Sequence, residues 1–239
     1  MSYDLILGLG GFGGRLASSQ EGRCPVFELD RVIERNRPNE RQLSLWRGET
    51  VGELLAAVPA AGEWFPQEPC YRCKTLPGEQ LCLRATGRLM LEYAWLCGRL
   101  APLAAALEGL SAQRQAPLQV AVVTSLAGSF GSGAFAALAR VLAERFPTIR
   151  LYGVFLMPEP LERVCPTPLE CSTLRAHTCA ALKELQRENP FEGCTFYCTE
   201  ESLKAALAAS PRGEELPDFA RYDVDYRHAR HPLHTQGDF

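Results

Sequence analysis

The chain has 239 residues and 26.4 kDa, with 46% hydrophobic and 22% charged residues, the balance of an ordinary soluble globular protein and not of a disordered or fibrous one. Its net charge of −3 argues against a nucleic-acid partner, because neutralising phosphates calls for a basic excess. No apolar run approaches the roughly 20 residues of a membrane span, and the opening MSYDLILG has an acid and no basic stretch before its apolar run, so neither membrane contact nor a signal peptide is expected.

The predicted elements alternate strand and helix, which favours a parallel sheet with helices on both faces. Residues 3–7 (YDLIL) read as a short buried strand, 8–14 as a glycine-rich turn and 15–20 as a short helix. Residues 25–29 (PVFEL) form a second strand ending at Asp30, and 31–47 are polar, a loop with irregular helix. Thr50 is placed to cap a helix over 51–58, and 59–77, with its prolines and glycines, reads as an excursion from the core. Apolar residues at a helical period run from 87 to 110, interrupted at Pro102. Residues 118–124 (LQVAVVT) are a β-branched strand, followed by a second glycine-rich turn over 127–133 and a helix over 134–145. A strand over 149–157 stops at Pro158. Ser172 is the expected cap of a helix reaching about Glu188, 195–197 a short strand, and Thr199 the cap of the last helix. The expected division is a domain over 1–210 and a polar tail over 211–239.

The ten cysteines, in a chain large enough to fold without staples, read as reduced thiols of a cytoplasmic protein. Cys70-x-x-Cys73 is the one metal-like spacing, and without a second close pair no metal centre is expected. His228, His231 and His234 fall in the polar tail and read as solvated.

The chemistry concentrates in two glycine runs, each between a strand and a helix. In the first, Gly8-Leu9-Gly10-Gly11-Phe12-Gly13-Gly14, glycines let the backbone approach a phosphate and the helix start offers free N–H groups. Its GxGxxG spacing, with Asp30 at the end of the next strand, matches a dinucleotide site, so an NAD(P)- or FAD-dependent oxidoreductase is one reading. In the second, Ser125 to Gly133, the pattern repeats, and two such turns on one sheet edge suggest a nucleotide gripped from both sides.

Those two turns in this order resemble the tubulin/FtsZ superfamily of GTPases, and the bacterial tubulin-like proteins in particular. LILGLGGFGG, Arg84-Ala-Thr-Gly87-Arg88, SLAGSFGSGAF and the segment Arg175-Ala-His177-Thr-Cys-Ala-Ala-Leu-Lys-Glu-Leu185 carry the resemblance. It implies a three-layer, Rossmann-like nucleotide-binding domain and a GTP or GDP ligand, with Mg2+ as a possible companion. It implies phosphate contacts from Gly10, Gly11, Phe12 and Gly13, from Ala127, Gly128, Ser129, Gly131, Ser132 and Gly133, and from Arg84, Gly87 and Arg88. It implies ribose or base contacts from Glu162, Glu159 and His177, and Asp30 is the ribose acid of the dinucleotide reading. Three positions depart from the pattern: Ser129 stands for a glycine, Phe130 for a threonine and His177 for an asparagine. In the superfamily a second domain supplies the acids that activate water, and no catalytic pair stands out among Asp218, Asp223 and Asp225. The expectation is a nucleotide-binding assembly component with weak or no hydrolysis, self-associating or completed by a protein partner. A ligand-free interaction module is the remaining alternative.

Overall fold

The computed structural model describes residues 3–33, 39–72, 83–165 and 167–208. Six parallel strands form one sheet in the order β3-β2-β1-β4-β5-β6. They are β1 (Leu5–Leu9), β2 (Val26–Asp30), β3 (Gln42–Ser44), β4 (Gln119–Ser125), β5 (Arg150–Leu156) and β6 (Gly193–Tyr197). The helices are α1 (Gly10–Ser18), α2 (Val51–Ala57), α3 (Pro69–Arg72), α4 (Arg84–Leu96), α5 (Ala101–Ala112), α6 (Ser129–Arg145), α7 (Glu159–Glu162), α8 (Pro168–Arg187) and α9 (Glu200–Leu207). A 3-10 turn spans Pro59–Glu63.

The strands are buried on both faces, and their alternation divides the core in two. Leu5, Leu7 and Leu9 of β1, with Val120 and Val122 of β4, face a large cluster shared with α2, α4, α5, α6 and α8. Ile6, Ala121 and Val123 point the other way, into a smaller cluster with α1 and α9. The sheet therefore has helices on both faces, the three-layer architecture expected. Small residues decide which helices come closest. A methyl group on Gly8 would lie 2.5 Å from the Gly13 carbonyl oxygen, so α1 lies directly against β1.

The strand order reverses between β1 and β4, whose following helices leave on opposite faces. That reversal is a topological switch point, where open parallel sheets form a crevice at the carboxyl ends of their strands. The register pairs Leu9 with Thr124 there, and the Thr124 hydroxyl donates to the Leu9 carbonyl at 3.1 Å.

Several boundaries differ from the sequence expectation, each for a local reason. The glycine runs are not loops: α1 begins at Gly10 and α6 at Ser129, so most of each run is helical. The helical pattern over 87–110 is two helices, α4 and α5, parted at Gly98 (φ 71°) and not at Pro102, which lies in the first turn of the second. Thr167, not Ser172, caps α8, through a capping box with Glu170 and with Pro168 at the first helical position. Edge strand β3 falls in the segment expected to be loop. Cys73, the tail over 211–239, its histidines and Asp218, Asp223 and Asp225 lie outside the described residues.

Candidate functional site

A cavity of about 210 Å³ opens at the switch point. Its floor and walls come from Leu9 to Phe12 at the start of α1, Thr124 and Ser125 at the end of β4, Gly128 to Gly131 at the start of α6, Asp30 and Arg31 at the end of β2, and Thr86 and Met90 on α4.

The two helix starts give the cavity its character. α2, α8 and α9 are each capped by a threonine side chain, Thr50, Thr167 and Thr199. Like α4, α5 and α7, the helices α1 and α6 have no side-chain cap, and they begin after Leu9 and Gly128 at the cavity. No capping side chain takes the first N–H groups of α1 and α6, and both helix dipoles present their positive ends there. Gly10 makes the first turn possible: its φ is 71°, a left-handed conformation that a side chain disfavours. Gly131 lets α6 reach the sheet, since a methyl there would lie 2.8 Å from the Leu9 carbonyl oxygen.

Phe130 stands between the two helix starts. It is 8% exposed and lines the cavity, and a methyl on Gly10 would lie 3.7 Å from its ring. The wall facing α1 is therefore aromatic where the resemblance implied a hydroxyl. Asp30 and Arg31 are the charged residues lining the cavity among those described. Burial pushes the Asp30 carboxyl up from its ordinary range, against the opposing effect of the Arg31 backbone N–H it accepts at 2.6 Å.

Of the residues that the sequence pointed to, Gly10, Gly11, Phe12, Asp30, Gly128, Ser129 and Gly131 meet at this cavity. The others lie elsewhere. Gly13 is pressed against β4, where a methyl would meet the Val123 carbonyl oxygen at 2.3 Å. Gly87 and Gly133 serve the crossing of α4 and α6: a methyl on the first would lie 2.5 Å from the Phe130 carbonyl oxygen, and one on the second 1.9 Å from that of Arg84. Arg84 Nε donates to the Ser132 carbonyl and hydroxyl oxygens at 3.1 Å each, and Arg84 Nη2 meets Glu184 at 2.8 Å. Arg88 pairs with Glu92 at 2.7 Å and lies over the Trp64 ring, 4.0 Å from its centre. The Ser132 hydroxyl donates to the Gly128 carbonyl.

On α7 and α8, Glu162 forms a two-point ion pair with Arg175 at 2.7 and 3.0 Å, and Glu159 sits in the first turn of α7. His177 Nδ1 lies 2.9 Å from the Ala127 carbonyl oxygen. A carbonyl only accepts, so Nδ1 carries the hydrogen, and the imidazole braces the segment before α6. Sequence reasoning missed Arg31, Met90 and Thr124, and gave no role to Thr86 and Ser125 within the motifs that contain them. A signal existed for Arg31, which follows Asp30 at the carboxyl end of a strand, and for Thr124 and Ser125, which end β4.

A protein-family model described as tubulin-like matches residues 37–231. The chain belongs to the tubulin-like family. The match takes in α4, the second glycine turn and α8, and starts beyond the first glycine turn. No curated protein matches this tubulin-like chain. Among solved structures, TubZ of Clostridium botulinum phage c-st is 12% identical with a TM-score of 0.50, covering 87% of this chain and 58% of its own. The GDP-bound CetZ1 monomer of Haloferax volcanii is 15% identical with a TM-score of 0.49, covering 82% and 51%. CetZ from Methanosaeta thermophila is 13% identical with a TM-score of 0.49, covering 85% and 49%. The chain thus spans about half the length of these structures, and at such identities the likeness to TubZ speaks to the fold.

Proposed function

We propose that the switch-point cavity holds the phosphates of a guanine nucleotide, and that the chain is a binding and assembly component with weak or no GTP hydrolysis of its own. One observation carries this reading: two helix starts without side-chain caps, from opposite faces of the sheet, converge on one cavity. Backbone N–H groups on both sides would bond phosphate oxygens, and Arg31 would add a charge-assisted contact at the rim. The cavity is smaller than the roughly 300–1,000 Å³ of sites that enclose a whole small molecule, so it suits the phosphates and leaves sugar and base to its open side. Family membership favours guanine over other bases. Asp30 is the described carboxylate able to meet a hydrated Mg2+ beside those phosphates. The assembly role, with further copies or with a partner that completes the hydrolytic machinery, follows the same family reading.

Phe130 supports a second reading, a ligand-free interaction module, because its ring already occupies the wall between the helix starts. The dinucleotide reading retains Asp30, at the end of β2 in a sheet ordered as in dinucleotide-binding folds. Titration calorimetry with GDP, GTP, ATP and NAD separates the three. Saturable binding of GDP and GTP, with ATP and NAD far weaker, is the expected result. Heat from NAD alone would support the oxidoreductase, and no heat from any of the four would support the module.

A further inference from the structure

Arg84 opens α4 with its guanidinium turned away from the cavity, between α6 and α8. It bonds the Ser132 carbonyl through Nε and Nη2, and the Ser132 hydroxyl through Nε. The Ser132 hydroxyl in turn donates to the carbonyl of Gly128, the residue before α6. On the other side Arg84 meets Glu184 of α8 at 2.8 Å, and Arg140 of α6 lies 3.7 Å from the other oxygen of Glu184. A continuous path, Glu184–Arg84–Ser132–Gly128, therefore runs from α8 to the turn that walls the cavity. The Arg84 and Glu184 side chains are 17% and 15% exposed, so solvent weakens their pairing little.

This arrangement is more than a surface ion pair. The guanidinium fork fixes the first turn of α6 from its far side, where Gly133 lets the Arg84 backbone make contact. The direction of the free α6 N–H groups depends on that turn. We infer that Arg84 and Glu184 are positioning residues for the phosphate-binding turn, pre-orienting its N–H groups without touching the ligand. The inference rests on the nucleotide reading of the cavity, and it gives the arginine at the head of α4 a role on the outer side of the phosphate turn.

The experiment compares wild type with Arg84→Gln, Arg84→Lys and Glu184→Gln, the last sparing the guanidinium should the first fail to fold. In nucleotide-free protein, deuterium uptake over residues 126–136 should rise in Arg84→Gln and Glu184→Gln while the sheet strands stay protected. In competition binding, Arg84→Gln should lose about tenfold in GDP affinity, the scale of one charge-assisted hydrogen bond. Guanosine, which has no phosphate, should be unaffected, and Arg84→Lys should recover part of the loss. Unchanged uptake over 126–136, or equal losses for GDP and guanosine, would overturn the positioning role. Raised local uptake with no GDP binding by wild type would support the buttress and overturn the nucleotide reading.

Discussion

Asp30 carries a cost to the fold at the wall of the cavity. Its carboxyl lines the cavity, and burial raises its pKa above the unfolded value, so ionising it costs more in the folded chain than in the unfolded one. The stability tied to this group is fully present below the unfolded pKa and is lost as pH rises through the folded pKa. Asp30→Asn keeps an oxygen for the Arg31 N–H and removes the charge. At pH 7 the variant should therefore melt at a higher temperature than wild type. The difference should shrink towards zero as the pH falls below about 4, the usual carboxylate range, where wild type is itself neutral. Thermal melts across that pH range check it, and a lower melting temperature for Asp30→Asn at pH 7 would contradict the burial account.

The helix crossings explain where the glycines are spent. Gly133 lies in α6 directly beneath the Arg84 carbonyl, with backbone atoms of Arg84 at 1.9, 2.7 and 3.0 Å from a methyl placed there. Backbone cannot swing aside, so Gly133→Ala should push α4 off α6 and cost about 1–3 kcal/mol, the usual range for overpacking. Gly109, in α5 with nothing within 4 Å of the same methyl, gives the contrast. Gly109→Ala should stabilise by about 0.5–1 kcal/mol through helix propensity. Urea unfolding of the two variants should move their midpoints in opposite directions. The same crossing shows why the sequence was partly legible. The strands were readable because apolar, β-branched runs such as residues 119–125 have no other way to be buried. The starts of α1 and α6 were not, because glycine is a poor helix former and only packing on the sheet and on α4 overrides that. Arg84 and Arg88 lie away from this cavity for a rotational reason. Arg84 and Arg88 share one side of α4, while Thr86 and Met90, also four apart, share the side that meets the cavity. Motif order carries no information about that rotation. Edge strand β3 was invisible because three residues, two of them polar, give no alternation to read.

At the scale of the whole molecule, the question is how much chemistry one copy can do. In phosphoryl transfer the attacking and leaving oxygens lie in line on opposite sides of the phosphorus, and catalysis is positioning plus charge stabilisation on both sides. Among the described residues, the two charged ones lining the cavity, Asp30 and Arg31, are adjacent at the end of β2 and lie on a single side. The opposite wall, at the start of α6, presents Ser129, Phe130 and glycine backbone, which can bind phosphate oxygens but hold no water against them as a base. On the nucleotide reading proposed above, a single copy should bind GTP and hydrolyse it weakly or not at all. With dilute protein and Mg2+, phosphate release should stay close to that of buffer alone. If another copy supplies the opposite side, release should appear only at high protein concentration and rise faster than linearly with it. A rate proportional to protein at high dilution would mean that a single chain completes both sides of the site, and would overturn this account of the cavity.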